Sequence, residues 1–514
     1  MPNGFTQRNS MFYGAMMLTA GSLGLRLVQM VFQVYISGVM GAAGLGRMQL
    51  IMTVGSFAAV IASGGVRIAA TCLAAEEAGK DRPEGVRTAI RCCCVYGIAL
   101  SLMIGFFLFI LADFFAELWI DDPSAGLPLR IFALSLPVTV LWSVFNGYYT
   151  AAGRITELVG LEFFERLLSI FLVVAFIKTG FLGLDPCTHI FLGSALATLG
   201  SFILLLRRYL KTISGISALP FLPMMRRLIV LTVPLGFNDI LKNGLNAIEN
   251  MIVPGGLKKY GSSGEGALAS YGTICGMVFP VITFPSVILY SLSDLLVPEM
   301  ARCRAKNRQE RTIFLADKCL RLTMLFAAAV GGLGLLLGEE IGYLLFHSRE
   351  AGIYIRIFAP LVVMLYLDAI VDGMLKGLSQ QIHTVRYNTL TSFLDVVFLY
   401  FLLPEYGIGG YLFSFTVTHA INFYLSIRRL IVVTGYLPKF RTTVKSAISC
   451  GLTLLLLWNQ QPGTITISGT LFTAGLFLLL YFGLSILSGA IKKEDLTWIW
   501  GLIKQKSKGP SVTI

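Results

Sequence analysis

The sequence predicts an all-α, polytopic membrane protein of about fourteen transmembrane helices, and three observations carry that prediction. Of 514 residues, 55% are apolar and 13% charged, with a mean hydropathy of +0.76, more apolar surface than a soluble core of this length can hide. The apolar residues fall into fourteen runs, most of them close to the ~20 residues that cross a ~30 Å hydrocarbon layer. Lysine and arginine collect in alternate connections between those runs, the bias that orients helices in a bilayer. A water-soluble enzyme is excluded at this step. The net charge of +13 forms no folded basic domain of the kind that binds nucleic acid.

In chain order the expected spans are 11–37, 48–75, 92–112, 129–152, 159–178, 188–209, 228–254, 267–300, 314–338, 353–376, 387–403, 407–427, 444–459 and 468–491. The first is too long for a signal-peptide core and is read as a retained helix. Connections on the N-terminal side hold thirty of the 41 Lys and Arg, and the opposite connections hold six. Both termini are therefore expected in the cytoplasm, with the acidic loop from Asp113 to Asp122 outside. The segment 492–508 alternates Trp498, Trp500, Leu502 and Ile503 with flanking lysines, as a helix lying on an anionic leaflet would. Residues 219–227 are expected along the same surface.

No GxxxxGK[ST] or G-x-S-x-G occurs; the stretch Gly41 to Gly46, expected in an external loop, lacks the P-loop spacing. The nine cysteines contain no CxxC pair and the four histidines are scattered, so no metal centre is expected. The chain is read as a non-enzyme without a cofactor. Its energy must then come from an H⁺ or Na⁺ gradient, from membrane potential, or from removal of the substrate on the far side.

At an offset of 226, Asn146-Gly147-Tyr148-Tyr149 falls on Asp372-Gly373-Met374-Leu375, each closing a span at the cytoplasm. Copies with an even number of spans enter the membrane in the same orientation, related by an axis along its normal, and such transporters bind substrate between lobes near mid-membrane. The expected division is 1–215 and 216–430 as two six-helix lobes, 431–491 as two additional helices, and 492–514 as an amphipathic cytoplasmic tail.

Charges at bilayer depth cost at least about 2.5–3.5 kcal/mol on insertion scales, so those present should face water or a partner. Ser22, Arg26, Gln29, Gln33 and Ser37 recur at intervals of three or four, one polar stripe on the first span. Gln49, Ser56, Ser63 and Arg67 make another on the second. Counted from the cytoplasmic side at ~1.5 Å per residue, Arg26 and Arg67 lie about 24 and about 15 Å deep. Two guanidinium forks suit a phosphate better than a cation or a neutral sugar.

The seventh span is the most polar, with Asp239, Lys242, Asn246 and Glu249 on one face. Asp239 and Lys242 are expected to pair, leaving Glu249 as the unpartnered carboxylate that binds a coupling ion. Asp294, Asp368, Asp372 and Asp395 extend the polar interior, and Glu162 with Arg166 is expected to form an i,i+4 salt bridge. Arg356 is expected to snorkel to the surface.

Gly41-Ala42-Ala43-Gly44-Leu45-Gly46-Arg47-Met48-Gln49-Leu50 and Ala62-Ser63-Gly64-Gly65-Val66 resemble the opening of the stage V sporulation protein B family. Asn146-Gly147-Tyr148-Tyr149 followed by Glu165, and Lys376-Gly377-Leu378 followed by Tyr406-Gly407-Ile408-Gly409-Gly410, continue the likeness through spans one to twelve. That family belongs to the multidrug/oligosaccharidyl-lipid/polysaccharide (MOP) exporter superfamily, together with the MurJ lipid II flippases. The resemblance implies two pseudo-symmetric six-helix lobes around a central cavity, two additional C-terminal helices, and flipping of undecaprenyl-pyrophosphate-linked precursors for spore cortex or cell wall.

Arg26 matches a position where the family usually keeps arginine. Gln33 and Gly38 stand where further basic residues are expected, and Arg67 where proline is common. The site expected from all of this is Arg26, Arg67, Gln29, Gln33 and Asn246 for the substrate, with Glu249, Asp239, Lys242, Asp294, Asp368 and Asp372 for ion coupling. The partners expected are a lipid-linked sugar and membrane lipids, around a monomer in a bacterial inner membrane. The alternatives are a cation-coupled multidrug antiporter of the same architecture and a non-transporting scaffold for wall assembly.

Overall fold

A computed structural model describes residues 4–213, 220–437, 440–458 and 465–491. Helix is the only regular structure among them, as a backbone in hydrocarbon requires, since each N–H and C=O must be paired within its own segment. Nine helices among the described residues are long and apolar enough to cross a membrane, or ten if the bent pair Arg349–Phe358 and Leu361–Gly377 is one span. The amphipathic segment 492–508 lies outside the described residues. So does 219; from Phe221 the surface segment expected at 219–227 is the start of a long helix.

The first two expected spans share one helix, α1 (Gly4–Ser63), broken only at Gly41, whose φ of 67° leaves the helical region. The stretch expected as an external loop is therefore helical beyond that residue. A second break follows at Gly64 and Gly65, both with positive φ, where a Cβ would be strained. The chain then runs through α2 (Val66–Gly79), α3 (Pro83–Ile110), α4 (Gly126–Ala151), α5 (Ile155–Thr179), α6 (Pro186–Ile213), α7 (Phe221–Tyr260) and α8 (Gly264–Gly272). The acidic loop between α3 and α4 is itself helical, with a π turn at Ala116–Ile120. After α8, a π turn at Thr273–Val278 and short turns lead into α9 (Val287–Ala305), α10 (Gln309–Phe346), α11 (Arg349–Phe358) and α12 (Leu361–Gly377). The order ends with α13 (Gln381–Tyr406), α14 (Ile408–Thr434), α15 (Phe440–Leu457) and α16 (Ile467–Leu487).

The chain divides into two compact units, Met1–Gly276 with Ser392–Ser414, and Met277–Thr391 with Phe415–Ile514. This differs from a division at residue 215, because α7 and α8 pack against the first six spans. In the first unit α7 lies on α1 where Gly244 meets the Phe57 ring. Near its N-terminal end Arg227 bridges Glu76 and Glu77, 3.0 Å from the latter. The tightest contact joins α1 to α8: a methyl group on Gly46 would strike the Leu268 carbonyl, and one on Gly272 the Ala42 carbonyl. With no hydrophobic drive between helices in lipid, such small-residue seams let backbones approach and gain dispersion contact. At the same end of the unit Arg47 pairs with Asp122 at 2.6 Å and Lys258 pairs with Asp121.

The second unit is organised on α10. Leu325, Ala328, Ala329, Cys450, Phe477 and Tyr481 form its core, bringing α15 and α16 against that helix. The Tyr481 hydroxyl donates to the Leu325 carbonyl at 2.9 Å, satisfying a polar group that would otherwise be buried bare. Arg356, expected to snorkel, is instead fixed in an ion pair with Glu339 at 2.5 Å and lies over the Trp458 ring, because α10 and α11 meet closely at Gly342 and Gly352.

Candidate functional site

The polar stripe of α1 changes character along its length. Arg26 and Gln29 are exposed, Gln33 is half-buried and Ser37 buried; the Ser22 side chain lies outside the described residues. The Gln33 amide donates to the Gly276 carbonyl at 2.9 Å, a carbonyl in the π turn after α8, where regular helical pairing is interrupted. Gln33, expected to contact substrate, thus ties two helices of the first unit together. Arg26 and Gln29 keep the exposed part of the stripe.

On the second expected stripe, Ser56 and Ser63 donate to carbonyls of their own helix, Thr53 at 3.0 Å and Val60 at 3.0 Å. Arg67, one residue into α2, is exposed. Its backbone is held close to α4, where a Cβ on Gly147 would sit 2.6 Å from the Arg67 carbonyl oxygen.

Two expected pairings do not form. Asp239 and Lys242 make no ion pair with each other among the described residues. Asp239 is half-buried, whereas Lys242 is exposed. The Asn238 side chain lies outside the described residues. Glu162 accepts from the Asn146 amide at 3.0 Å instead of pairing with Arg166, since α4 supplies a donor at the level where α5 presents the carboxylate.

Asn246 is exposed; its carbonyl accepts from Asn250, whose side-chain oxygen accepts from the Tyr271 hydroxyl at 3.0 Å. Glu249, expected to stand alone, hydrogen-bonds with the carboxyl group of Asp395 on α13. Asp395 is 4% exposed and accepts from the Ser414 hydroxyl at 2.5 Å; Tyr411, Tyr271 and Cys275 border the pair. The first unit therefore brings together two carboxyl groups from residues 146 positions apart, Asp395 buried and Glu249 half-buried.

In the second unit Asp368 accepts from the Asn422 amide at 2.9 Å. Asp372 follows one turn later on α12, half-buried, and Lys376 one turn beyond that, exposed. The Asp294 side chain lies outside the described residues. No group of three metal-ligating side chains occurs among the described residues.

A family model described as Polysaccharide biosynthesis protein matches residues 12–303, more than half of the chain. The chain is 23% identical over 518 residues to the stage V sporulation protein B of Bacillus subtilis (strain 168), covering 94% of this chain and 96% of that protein. It is 22% identical over 232 residues to sporulation protein YkvU of the same organism, covering 44% of this chain and 52% of that one. Among solved structures, the lipid II flippase MurJ in an inward closed conformation superposes with a TM-score of 0.70 at 13% identity, covering 92% of this chain and 98% of that one. A multidrug resistance MATE family transporter of the MOP superfamily, inward-facing, gives 0.63 at 15% identity, covering 80% and 95%. These superpositions establish the helical fold shared by those transporters.

Proposed function

The chain belongs to the polysaccharide biosynthesis protein family, and on that footing we propose that it is a flippase carrying an undecaprenyl-pyrophosphate-linked sugar across a bacterial inner membrane by alternating access. The observation that carries this reading is the pair of exposed guanidinium groups, Arg26 and Arg67, on the first unit. Charges in the expected spans are tolerated where water or a ligand meets them, and their forked donors match phosphate oxygens. Gln29 and Asn246, also exposed, add neutral donors and acceptors for a sugar. The names of two similar proteins, a stage V sporulation protein and a lipid II flippase, support a wall precursor, with spore cortex as one setting.

The protein works as a monomer with both termini in the cytoplasm and without a cofactor, and its partners are the lipid-linked sugar and surrounding lipids. The Glu249–Asp395 pair is the proposed coupling element, exchanging its proton or replacing it with Na⁺; Asp239 and Lys242 in the first unit, and Asp368 and Asp372 in the second, are further proposed coupling residues. The test is transfer of a labelled polyprenyl-pyrophosphate sugar across proteoliposomes. The double variant Arg26→Ala, Arg67→Ala is expected to lose most of the rate, and a wild-type rate from it overturns the reading. The carboxyl pair and the likeness to a multidrug transporter favour a second reading, a cation-coupled drug antiporter. Dye export that needs Glu249 and ignores both arginines would select it.

A further inference from the structure

A third arginine of the first unit remains without a role. Arg166 lies on α5 inside the expected span 159–178, and its side chain is exposed. On the same helix, Val159 and Phe163 are the side chains that face α1: methyl groups on Gly21 and Gly24 would lie 2.8 and 3.8 Å from them. Positions 159, 162, 163 and 166 are spaced by three and four, so Arg166 continues that stripe one turn deeper.

Arg67 reaches the same level from α2. Its carbonyl packs on Gly147, and Asn146, the preceding residue, is the donor to Glu162. Arg166 thus stands one turn from Glu162 on α5 while Arg67 packs beside the donor to Glu162, yet among the described residues neither arginine forms an ion pair within 4 Å. The two acids nearby are engaged by neutral donors: Glu162 by Asn146, and Glu165 by the Thr198 hydroxyl at 2.7 Å. Two guanidinium forks therefore flank one carboxylate with their own donors unfilled by acid. At bilayer depth that arrangement needs acceptors from elsewhere.

Resting on the flippase reading, we propose that Arg166 is a further ligand for the substrate, converging with Arg67 on a diphosphate group, with Glu162 as the counter-charge that the anion displaces. A diphosphate offers two anionic centres to two forks, each taking parallel N–H···O bonds. A single carboxylate or a neutral sugar would fill only one. The carboxylate of Glu162 keeps the empty site from being a bare concentration of positive charge.

The experiment titrates farnesyl pyrophosphate and, separately, inorganic pyrophosphate against the full-length protein in nanodiscs, with farnesol as the uncharged control. For farnesyl pyrophosphate, Arg166→Ala and Arg67→Ala are each expected to weaken binding by about tenfold or more, as loss of a charge-assisted contact does. Arg166→Lys should keep part of the affinity, and Glu162→Gln should tighten binding severalfold by removing the competing charge. Melting temperatures within a few degrees of wild type would show that the variants are folded.

Wild-type affinity in Arg166→Ala alongside weakened Arg67→Ala overturns the assignment of Arg166 and leaves the flippase reading standing. Wild-type affinity in Arg26→Ala, Arg67→Ala and Arg166→Ala together overturns both. Equal loss of farnesol binding in Arg166→Ala would show a structural effect and also overturn the assignment. Weaker binding of inorganic pyrophosphate than of its farnesyl ester supports a lipid headgroup; equal binding supports the anion site but assigns it to a soluble diphosphate.

Discussion

Replacing Glu249 by glutamine separates the proton proposed for the Glu249–Asp395 pair from the hydrogen bond between them. With both carboxyls ionised at an O···O distance of roughly 3 Å, their repulsion at an effective dielectric of 20 is about 5.5 kcal/mol, enough to hold one proton between them. In Glu249→Gln an amide hydrogen takes that proton's place, donating to Asp395 while Ser414 keeps its own bond to the same acid. The variant is therefore expected to melt close to wild type, whereas Glu249→Leu, which leaves Asp395 with less compensation, should lose about 1–3 kcal/mol. Infrared difference spectra of the purified protein should show a protonated-carboxyl C=O band that disappears in both Glu249→Gln and Asp395→Asn. In proteoliposomes, a proton gradient that drives wild-type transport should no longer drive Glu249→Gln. A carboxyl band that survives both amide substitutions would refute the shared proton and with it the coupling role.

Gly46→Val inserts branched carbon where α1 meets the Leu268 carbonyl; a loss of about 1–3 kcal/mol, typical of overpacking, should lower the melting temperature, with Gly38→Val as the control because nothing lies within 4 Å of a Cβ there. Glu157, just outside the fifth expected span, is held below the usual carboxylate range chiefly by its hydrogen bonds from Arg154, at 2.7 Å from both Nε and Nη2. Its contribution is present above the unfolded-state value near 4.5 and is lost as pH falls through the lower folded value; Glu157→Gln should abolish this small acid-side loss, about 1 kcal/mol or less for a pair one-third exposed. Tyr481→Phe removes the donor to Leu325 and should destabilise the second unit by about 1 kcal/mol, read by thermal denaturation in nanodiscs.

Helical character was legible because long apolar runs in lipid have few other solutions. Most expected spans coincide with a helix, although the first two share one. The fifth, α5, has the length but does not pass as an apolar span; Glu162, Glu165 and Arg166 fall in its middle. Periodicity located the faces of α1, α2 and α7 but could not name what each face meets. Glu249 was visible as an unusual acid, while its partner Asp395 lies on a helix far along the chain, as does Asn422 for Asp368; Asn146, the donor to Glu162, lies on the preceding helix. Neighbour spacing suggested Asp239 with Lys242 and Glu162 with Arg166, and donors on other helices or solvation took precedence. Gln33 looked like a ligand residue because polarity in a span carries the same signature whether it serves cargo or a carbonyl released by a π turn.

The contact between Gly46 and Gly272 also sets how little the first unit can vary in sequence where α1 meets α8. Two backbones in direct apposition have no rotamers with which to make room, so even a methyl group at either position meets main chain that cannot swing aside. The seam therefore tolerates no residue larger than glycine unless the two helices themselves separate.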